Sequence, residues 1–217
     1  MYHLVLDLEM CNVPRKFRRK EYKYALEIIQ LGAVLLDDNF EQVDTFSSYV
    51  HPNYGYVDSF IKDLTGITND EIKDAKELEE VLIDFLCWID DREYKIYAWS
   101  ESDYCQFKHE IMCKNIEGDY IDDFMNLDRW VDYQRIFDDR YGYEKAVSLE
   151  NALILCDIDP EGRMHDGLDD AINTSKLIGI LETNPEYQLT DYITVEEPEP
   201  LMTCLGDMFS GLSLQMA

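Results

Sequence analysis

Positive charge is scarce in this sequence. Its 217 residues include 19 Lys and Arg against 46 Asp and Glu, which gives a formal net charge of −27. Because affinity for phosphate groups rests mainly on Lys and Arg, this balance argues against strong nonspecific binding of nucleic acid by the whole surface. Any binding of phosphates therefore needs a local concentration of basic residues.

Long apolar runs and paired cysteines are also absent. No segment approaches 18 uninterrupted apolar residues, and the chain runs from Met1 into an apolar strand without a basic stretch or a small-residue cleavage site. We therefore expect a soluble, cytoplasmic protein with no membrane partner. The six cysteines are scattered and include no CxxC pair, which predicts reduced thiols and suggests neither a disulfide framework nor a zinc ribbon.

The few basic residues are concentrated near the N-terminus. The segment PRKFRRKEYK, residues 14–23, holds six Lys or Arg against the single acid Glu21. Such a segment can attract phosphate although the whole chain is acidic, and Arg15, Arg18 and Arg19 are our candidate contacts with a nucleic-acid backbone. The alternative interpretation is a charged loop that is merely solvated.

The order of the predicted elements indicates an α/β domain. Strand patterns over 4–10, 27–37 and 42–52 predict an antiparallel meander, and strands over 95–100 and 129–134 alternate with helices over 77–89 and 103–114. A long helix over 166–181 closes the domain. We expect a mixed five-stranded sheet, with three antiparallel and two parallel strands, flanked by helices.

The composition changes beyond residue 183. Residues 184–200 are acidic and punctuated by proline, and neither Lys nor Arg follows Lys176. We therefore assign residues 1–182 to the domain and 183–217 to an acidic C-terminal tail. The apolar final part, residues 201–216, is predicted to dock either on its own domain or on a protein partner.

Two carboxylates interrupt the apolar strand LVLDLEM at residues 4–10. Because side chains alternate across a strand, Asp7 and Glu9 share one face, and the leucines at 4, 6 and 8 share the other. Neighbouring anions in apolar surroundings are unfavourable unless a proton or a cation compensates them. The pair predicts a divalent metal ion, and the alternative is a solvated strand face.

Two further acids complete a candidate metal site. Asp103 follows the strand YAWS at the start of a helix, and Asp170 lies early in the closing helix, five residues after His165. Taken singly, each is more typical of a helix cap or a dipole partner. Together with Asp7 and Glu9 they predict a site for hard cations, which take oxygen ligands and commonly occur in pairs where phosphoryl groups are transferred.

These residues resemble the motifs of the DEDDh 3′ to 5′ exonucleases of the DnaQ-like, ribonuclease T-like superfamily. The resemblance covers about residues 1–182 and rests on Asp7-x-Glu9, on Asp103 after the fourth strand, and on His165-x-x-x-x-Asp170. The stretches WSESD and HDGLDDA are closest to the subgroup that trims RNA 3′ ends in histone-message and small-RNA processing. The resemblance implies a ribonuclease H-like fold.

The resemblance also implies an activity and a role for each site residue. It implies a metal-dependent exonuclease that acts on single-stranded 3′ ends, of RNA rather than DNA, and releases nucleoside 5′-monophosphates. Asp7, Glu9, Asp103 and Asp170 would hold two Mg²⁺ or Mn²⁺ ions. His165 would accept the proton of the attacking water, a role that suits imidazole because it is mostly neutral at physiological pH.

Four other positions concern the fit of the substrate. Leu64 and Ile67 in FIKDLTGIT would flank the terminal nucleotide, as the resemblance implies. Met10 stands where the family often has Thr or another small residue, and Ser100 stands where the subgroup usually has Gly. Both departures affect the space around the nucleotide more than metal binding.

Three alternatives stay open on the sequence. A DNA-directed or proofreading exonuclease would use the same acids, and a regulatory binding protein would keep the fold but engage a partner through its acidic surface and apolar tail. The complete set of four acids and one histidine argues against the regulatory binding protein. Cys105, His109 and Cys113 share one helix face and would suit a soft metal, but no fourth ligand accompanies them.

Overall fold

A five-stranded sheet forms the centre of the fold in the computed structural model, which describes residues 1–18 and 22–190. The strands are β1 (Tyr2–Asn12), β2 (Leu26–Leu36), β3 (Gln42–Tyr49), β4 (Tyr94–Ala98) and β5 (Trp130–Asp132). Their order is β3-β2-β1-β4-β5, with antiparallel pairing from β1 to β3 and parallel pairing from β1 through β4 to β5. The predicted mixed sheet is confirmed.

Helices connect and cover the strands. They are α1 (Ser59–Thr65), α2 (Asn69–Ile72), α3 (Leu78–Ile89), α4 (Ser102–Lys114), α5 (Asp119–Phe124), α6 (Tyr133–Tyr141), α7 (Leu149–Leu155) and α8 (Gly167–Thr183). The predicted helices over 77–89, 103–114 and 166–181 correspond to α3, α4 and α8. The short helices α5 and α7 were missed by our sequence interpretation, because six or seven residues carry little helical periodicity.

The alternation of β1 separates two hydrophobic cores. Leu4, Leu6 and Leu8 belong to a first core, which α3, α4 and α5 cover. Val5 belongs to a second core, which α6, α7 and α8 cover. Asp7 and Glu9 alternate in phase with Val5, so they face the layer that contains α8. The strand therefore directs its two carboxylates towards the closing helix, in a setting that is apolar on both sides.

The start of α8 lies directly on the middle of the sheet. Gly32 pairs with Asp7 across β1 and β2, and a Cβ atom at Gly32 would lie 2.1 Å from the backbone of Gly167. The Gln30 amide donates to Asp166 at 3.1 Å and accepts from the Gly167 N–H at 3.0 Å. Asp166 is the N-cap of α8. These contacts fix the first turn of the helix, and hence its carboxylates, over β1.

A bulge changes the pairing of β1 at the end of the carboxylate motif. Glu9 pairs with Gln30, but Met10 pairs with Ile28, so one residue of β2 is skipped. The Ile28 N–H donates instead to the buried Glu110 carboxylate of α4 at 2.5 Å. The bulge thereby redirects the chain after Glu9 without leaving this buried N–H unsatisfied.

A buried ion triad supports the same edge of β2. The Lys114 ammonium lies 2.9 Å from both Glu27 and Glu110, and both acids are fully buried. Glu27 also accepts three backbone N–H groups from residues 53–55, at 2.6 to 2.8 Å. The triad therefore ties β2, α4 and the chain after β3 into one unit beside the bulge.

The described part of the predicted tail packs on the domain. Tyr187 and Leu189 contact the second core, the Tyr187 hydroxyl donates to the Cys156 carbonyl at 2.6 Å, and the Thr190 N–H donates to the Leu155 carbonyl at 2.9 Å. Residues 191–217, with the segment 201–216 and Cys204, lie outside the described residues, so their predicted docking stays a prediction. Among helices in the described ranges, none is long and apolar enough to cross a membrane.

Candidate functional site

Four carboxylates from three elements meet beside the start of α8. Asp7 and Glu9 come from β1, Asp103 from the first turn of α4, and Asp170 from the first turn of α8. Asp7 is half-buried, and the other three side chains belong to residues that are at most 6% exposed. The parallel pairing of β1 with β4 brings the ends of both strands to one edge, which explains why Asp103 reaches the acids of β1.

Glu9, His165 and Asp170 form the tightest group in this site. One potential ligand atom of each lies within 4.8 Å of the others, and within residues 1–18 and 22–190 this is the only group of three acidic, histidine or cysteine side chains that approaches so closely. Residues from two of the three predicted motifs, separated by more than 150 positions in the chain, therefore converge.

Burial and mutual repulsion disfavour the charged forms of these acids. Burial is the largest cause that raises the pKa of Asp7 and Glu9 well above the usual range, and the charges of Asp103 and Asp170 raise it further. Burial also raises the pKa of Asp103 and of Asp170 to about 7 each. A buried cluster of repelling carboxylates is the arrangement that a bound cation stabilises.

The hydrogen bonds of Asp103 and Asp170 leave oxygen atoms available to such a cation. Asp103 accepts from the Leu8 N–H at 3.1 Å, and one Asp170 oxygen accepts from the His165 N–H at 2.9 Å. The second oxygen of Asp170, Oδ1, is buried and has no hydrogen-bond partner in the structure. An orphaned carboxylate oxygen among four acids fits a hard divalent cation, which prefers oxygen ligands.

His165 reaches the site from a left-handed backbone conformation. Its φ of 64° places it in the region that histidine adopts more readily than most residues, directly before the N-cap Asp166. Its side chain is exposed at the edge of the carboxylates. Partial burial lowers the pKa of His165 from its ordinary value, although Glu150 opposes this, so the imidazole is neutral at physiological pH.

The loop that carries His165 is bound along one face of α8. Three of its backbone N–H groups donate to α8 side chains: Glu161 to Asn173 at 2.8 Å, Arg163 to Asp169 at 2.7 Å, and His165 to Asp170 at 2.9 Å. The acceptors lie within four residues of each other, in the first two turns of the helix. The position of His165 is therefore determined by α8, the element that also provides Asp170.

Arg163 is a residue that our sequence interpretation missed. Its guanidinium donates to the carbonyls of Asp63 and Leu64 at 2.9 and 3.2 Å, and it packs against Gly66. Its positive charge opposes the rise in the pKa of Glu9. A basic residue two positions before His165 in an acidic segment was the available signal. Arg163 joins the histidine loop to the end of α1.

The predicted nucleotide-flanking residues differ in how much surface they offer. Leu64 is half-buried at the end of α1, where its carbonyl is bound by Arg163. Ile67 is 2% exposed and packs in a small apolar cluster with Ile61. Met10 is half-buried against the first core. Leu64 thus offers more side-chain surface to a ligand than Ile67.

Ser100 is linked to a metal-ligand candidate by two hydroxyl groups. Its Oγ lies 2.5 Å from the Ser102 Oγ, and the Ser102 hydroxyl donates to Asp103 at 3.4 Å. Ser100 is half-buried between β4 and α4. The side chain that replaces the expected glycine therefore extends a polar chain to the carboxylate of Asp103.

The structure describes two of the three candidate arginines in the basic segment, residues 14–23. Arg15 is exposed, the Arg18 Nε donates to the Val13 carbonyl at 2.8 Å, and Arg19 lies outside the described residues.

His109 stacks on Tyr24 with ring centroids 3.9 Å apart. It does not converge with the cysteines at 105 and 113 into a close three-ligand group, so the soft-metal alternative finds no support in this part of the chain.

Comparisons with known proteins connect this site to nucleases. The profile of the RNase T family, described as Exonuclease, matches residues 4–178. The 3′-5′ exoribonuclease 1 of Rattus norvegicus is 26% identical over 174 residues, which cover 76% of this chain and 50% of the relative. The probable 3′-5′ exonuclease KapD of Bacillus subtilis is 25% identical over 198 residues, which cover 91% of this chain and 89% of the relative. The chain spans about half the length of the mammalian relatives it matches.

A solved structure shows the same fold. The nuclease domain of 3′hExo, described as a DEDDh family member bound to rAMP, superposes with a TM-score of 0.70 and 21% identity, covering 88% of this chain and 97% of that one. This similarity confirms the ribonuclease H-like fold that the motifs predicted.

Proposed function

The chain belongs to the RNase T exonuclease family, and from that membership we propose that it is a divalent-metal-dependent 3′ to 5′ exonuclease that trims single-stranded RNA. The observation that carries the proposal is the convergence of Glu9, His165 and Asp170 within 4.8 Å, in a family whose members depend on divalent cations. The resemblance drawn from the sequence motifs is thereby confirmed at the level of the family.

The four carboxylates are the proposed metal ligands. Asp7, Glu9, Asp103 and Asp170 would hold two Mg²⁺ or Mn²⁺ ions, and their raised pKa values reflect the charge that such ions compensate. When bound, the ions supply activation of a water molecule and stabilisation of the leaving 3′ oxygen. Two apolar cores pack against β1 and hold in place the strand that carries Asp7 and Glu9.

His165 is the proposed general base. Its lowered pKa keeps the imidazole neutral and able to take a proton from water at physiological pH. The hydrogen bond from its own N–H to Asp170 fixes its backbone, and Arg163 holds the same loop against the end of α1. The products expected from this chemistry are nucleoside 5′-monophosphates.

RNA is the proposed substrate, and DNA is the alternative. The rat relative is named an exoribonuclease and the 3′hExo nuclease domain is described with bound rAMP, whereas KapD is named only as an exonuclease. The basic segment with Arg15 and Arg18 would contact the phosphate backbone. A regulatory role through the acidic tail is compatible with this activity and does not replace it.

The experiment uses 5′-labelled RNA and DNA oligonucleotides of one sequence, with Mg²⁺, with Mn²⁺ and with chelator. We expect a metal-dependent ladder that shortens from the 3′ end, faster for RNA, and that is lost in Asp7→Asn. The matched control is Asp139→Asn, which neutralises an exposed acid on α6 and should leave the ladder unchanged. Absence of shortening under every condition would contradict the nuclease proposal, and faster shortening of DNA would contradict the substrate.

A further inference from the structure

Exposed aromatic side chains gather around the end of β1. In the described ranges, five aromatic side chains are among the exposed large hydrophobic residues, and three of them are Phe17, Tyr56 and Phe60, which are 41%, 49% and 47% exposed. The other two, Tyr120 and Tyr143, lie on or after helices away from this strand end. Single exposed rings are ordinary, but three around one strand end need an explanation.

Asn12, the last residue of β1, joins two of these rings to the strand. The Tyr56 N–H donates to the Asn12 carbonyl at 3.3 Å, forming an isolated bridge. The Asn12 amide donates to Asp58 at 3.1 Å, and Asp58 is the N-cap of α1, which carries Phe60. The backbones of Tyr56 and Phe60 are therefore held beside the end of β1 by hydrogen bonds.

Phe17 is held at the same place by a turn that follows the strand. The Phe17 N–H donates to the Pro14 carbonyl at 2.8 Å, and the Arg18 Nε donates to the Val13 carbonyl at 2.8 Å. Val13 in turn donates to the Ala25 carbonyl at 2.8 Å. The turn folds back on the residue that follows Asn12, so the third ring also lies near the strand end.

Cations accompany these rings in a chain that is otherwise acidic. Arg15 and Lys16 are exposed in the turn, and the Lys16 ammonium lies 4.7 Å from the centroid of the Phe17 ring. Lys62 is exposed on α1, two residues after Phe60. Asp58 and Asp63 lie in the same segment as Lys62, but a net charge of −27 makes the grouping of these three cations distinctive. Exposed rings between cations suit a ligand that alternates flat apolar groups with phosphates.

We infer a stacking surface for the nucleotides that precede the 3′-terminal one in a single-stranded substrate. The surface consists of three rings and three cations: Phe17, Tyr56, Phe60, Arg15, Lys16 and Lys62. Asn12 lies three residues beyond Glu9, about 10 Å along the strand, so the surface begins where the next nucleotides of a substrate would leave the carboxylates. The inference deepens the proposed function and rests on it. It predicts that recognition extends beyond the terminal nucleotide and depends on length rather than on sequence.

The test compares an octanucleotide with a dinucleotide of single-stranded RNA as substrates. With residues 1–217, the ratio of kcat/KM for the octanucleotide to that for the dinucleotide should fall about tenfold in Phe17→Ala and in Tyr56→Ala. The conservative variants Phe17→Tyr and Tyr56→Phe keep a ring and should retain the ratio. Tyr120→Ala removes a ring of similar exposure, 44%, far from the strand end and should not change it. Thermal denaturation confirms that each variant is folded.

A second measurement separates this inference from the proposed function. Fluorescence anisotropy of a 5′-labelled octanucleotide in chelator reports binding without hydrolysis. If the wild type hydrolyses neither substrate but both alanine variants bind the octanucleotide about tenfold more weakly, the nuclease proposal is wrong, and the surface is one that binds single-stranded RNA without hydrolysis. An unchanged substrate ratio, or unchanged binding, would overturn the stacking surface and leave the nuclease proposal untouched.

Discussion

Gly32 of β2 and Gly167 of α8 touch each other with no side chain between them. A Cβ atom at Gly32 would lie 2.1 Å from the Gly167 carbonyl carbon, and a Cβ atom at Gly167 would lie 3.3 Å from the Asp7 carbonyl oxygen. This backbone contact sets the distance between the carboxylates of β1 and the first turn of α8. Because Asp170 lies in that turn, the pair of glycines determines whether the site can assemble.

Gly32→Ala is therefore expected to weaken both the fold and the site. The added methyl group must displace α8, which should lower the free energy of unfolding by about 1 to 3 kcal/mol or more, measured by urea denaturation. Gly179→Ala on the same helix is the control, since its Cβ would meet Phe40 at 3.5 Å, an ordinary contact. That variant should be up to about 1 kcal/mol more stable than the wild type. Equal stability of Gly32→Ala and wild type would contradict the close approach.

Divalent cations should raise the thermal stability of the protein through Asp170. Because a ligand that binds only the native state stabilises it, Mg²⁺ or Mn²⁺ at about 100 times its Kd should add about 2.7 kcal/mol. Asp170→Asn replaces the carboxylate, whose Oδ1 is buried and has no hydrogen-bond partner, with a neutral amide. Differential scanning fluorimetry of this variant should show no rise in Tm on addition of the cation. Asp139→Asn should keep the full shift, and an equal shift in both variants would remove Asp170 from the metal site.

His165→Ala separates catalysis from metal binding. We expect hydrolysis to fall by a factor of about 10² to 10⁴, because the attacking water loses its base, while the metal-induced rise in Tm persists. The measurement pairs single-turnover rates with fluorimetry on the same protein preparation. His51→Ala, at a histidine bonded to the Ile72 carbonyl away from the site, is the control for loss of an imidazole. Wild-type turnover in His165→Ala would assign the base to another group.

Arg163→Ala tests the link between the histidine loop and α1. Losing the hydrogen bonds to Asp63 and Leu64 should free the loop and lower kcat about tenfold, with Tm changed by only a few degrees, because Arg163 is exposed. Arg163→Lys keeps the positive charge but lacks the planar guanidinium that donates to both carbonyls. Its kcat should therefore lie between that of Arg163→Ala and that of the wild type. Arg129→Ala removes a half-buried arginine that pairs with Asp123 and donates to the Tyr94 carbonyl, and it serves as the control. A Tm loss as large as that of a core variant would indicate a purely structural role.

Glu110 makes stability depend on pH. Burial raises its pKa to about 7 although Lys114 opposes the rise, so Glu110 is the anion of the ion triad above that pH. Below it the folded state holds a proton that the unfolded chain releases near its ordinary value of about 4.3. The folded state thus loses stability as pH rises between these values. Because Glu110→Gln cannot ionise at this position, its stability relative to that of the wild type should increase as pH rises through this window. Urea denaturation at several pH values measures the difference. Glu117→Gln, at an exposed glutamate, should follow the wild type.

Local periodicity explains which parts of the fold the sequence predicted. β1 and β2 are long and buried on both faces, and α3, α4 and α8 are long enough to show a repeated apolar stripe. Short helices, the bulge after Glu9 and the ion triad of Glu27, Glu110 and Lys114 carry no such signal. They arise from pairing and burial between segments far apart in the chain, which a local pattern does not contain.

The sequence by itself determined the order of the strands and the long helices, the face of β1 that carries Asp7 and Glu9, and the spacing of His165 and Asp170, because each follows from alternation or helical geometry within one segment. Only the tertiary structure decided that Glu9, His165 and Asp170 lie within 4.8 Å, that Arg163 binds the end of α1, and that Ile67 is buried. These outcomes depend on the contact of Gly32 with Gly167 and on the packing of helices across the sheet. The physical reason is that distances between segments are set by complementary surfaces, and those surfaces exist only once the chain has folded.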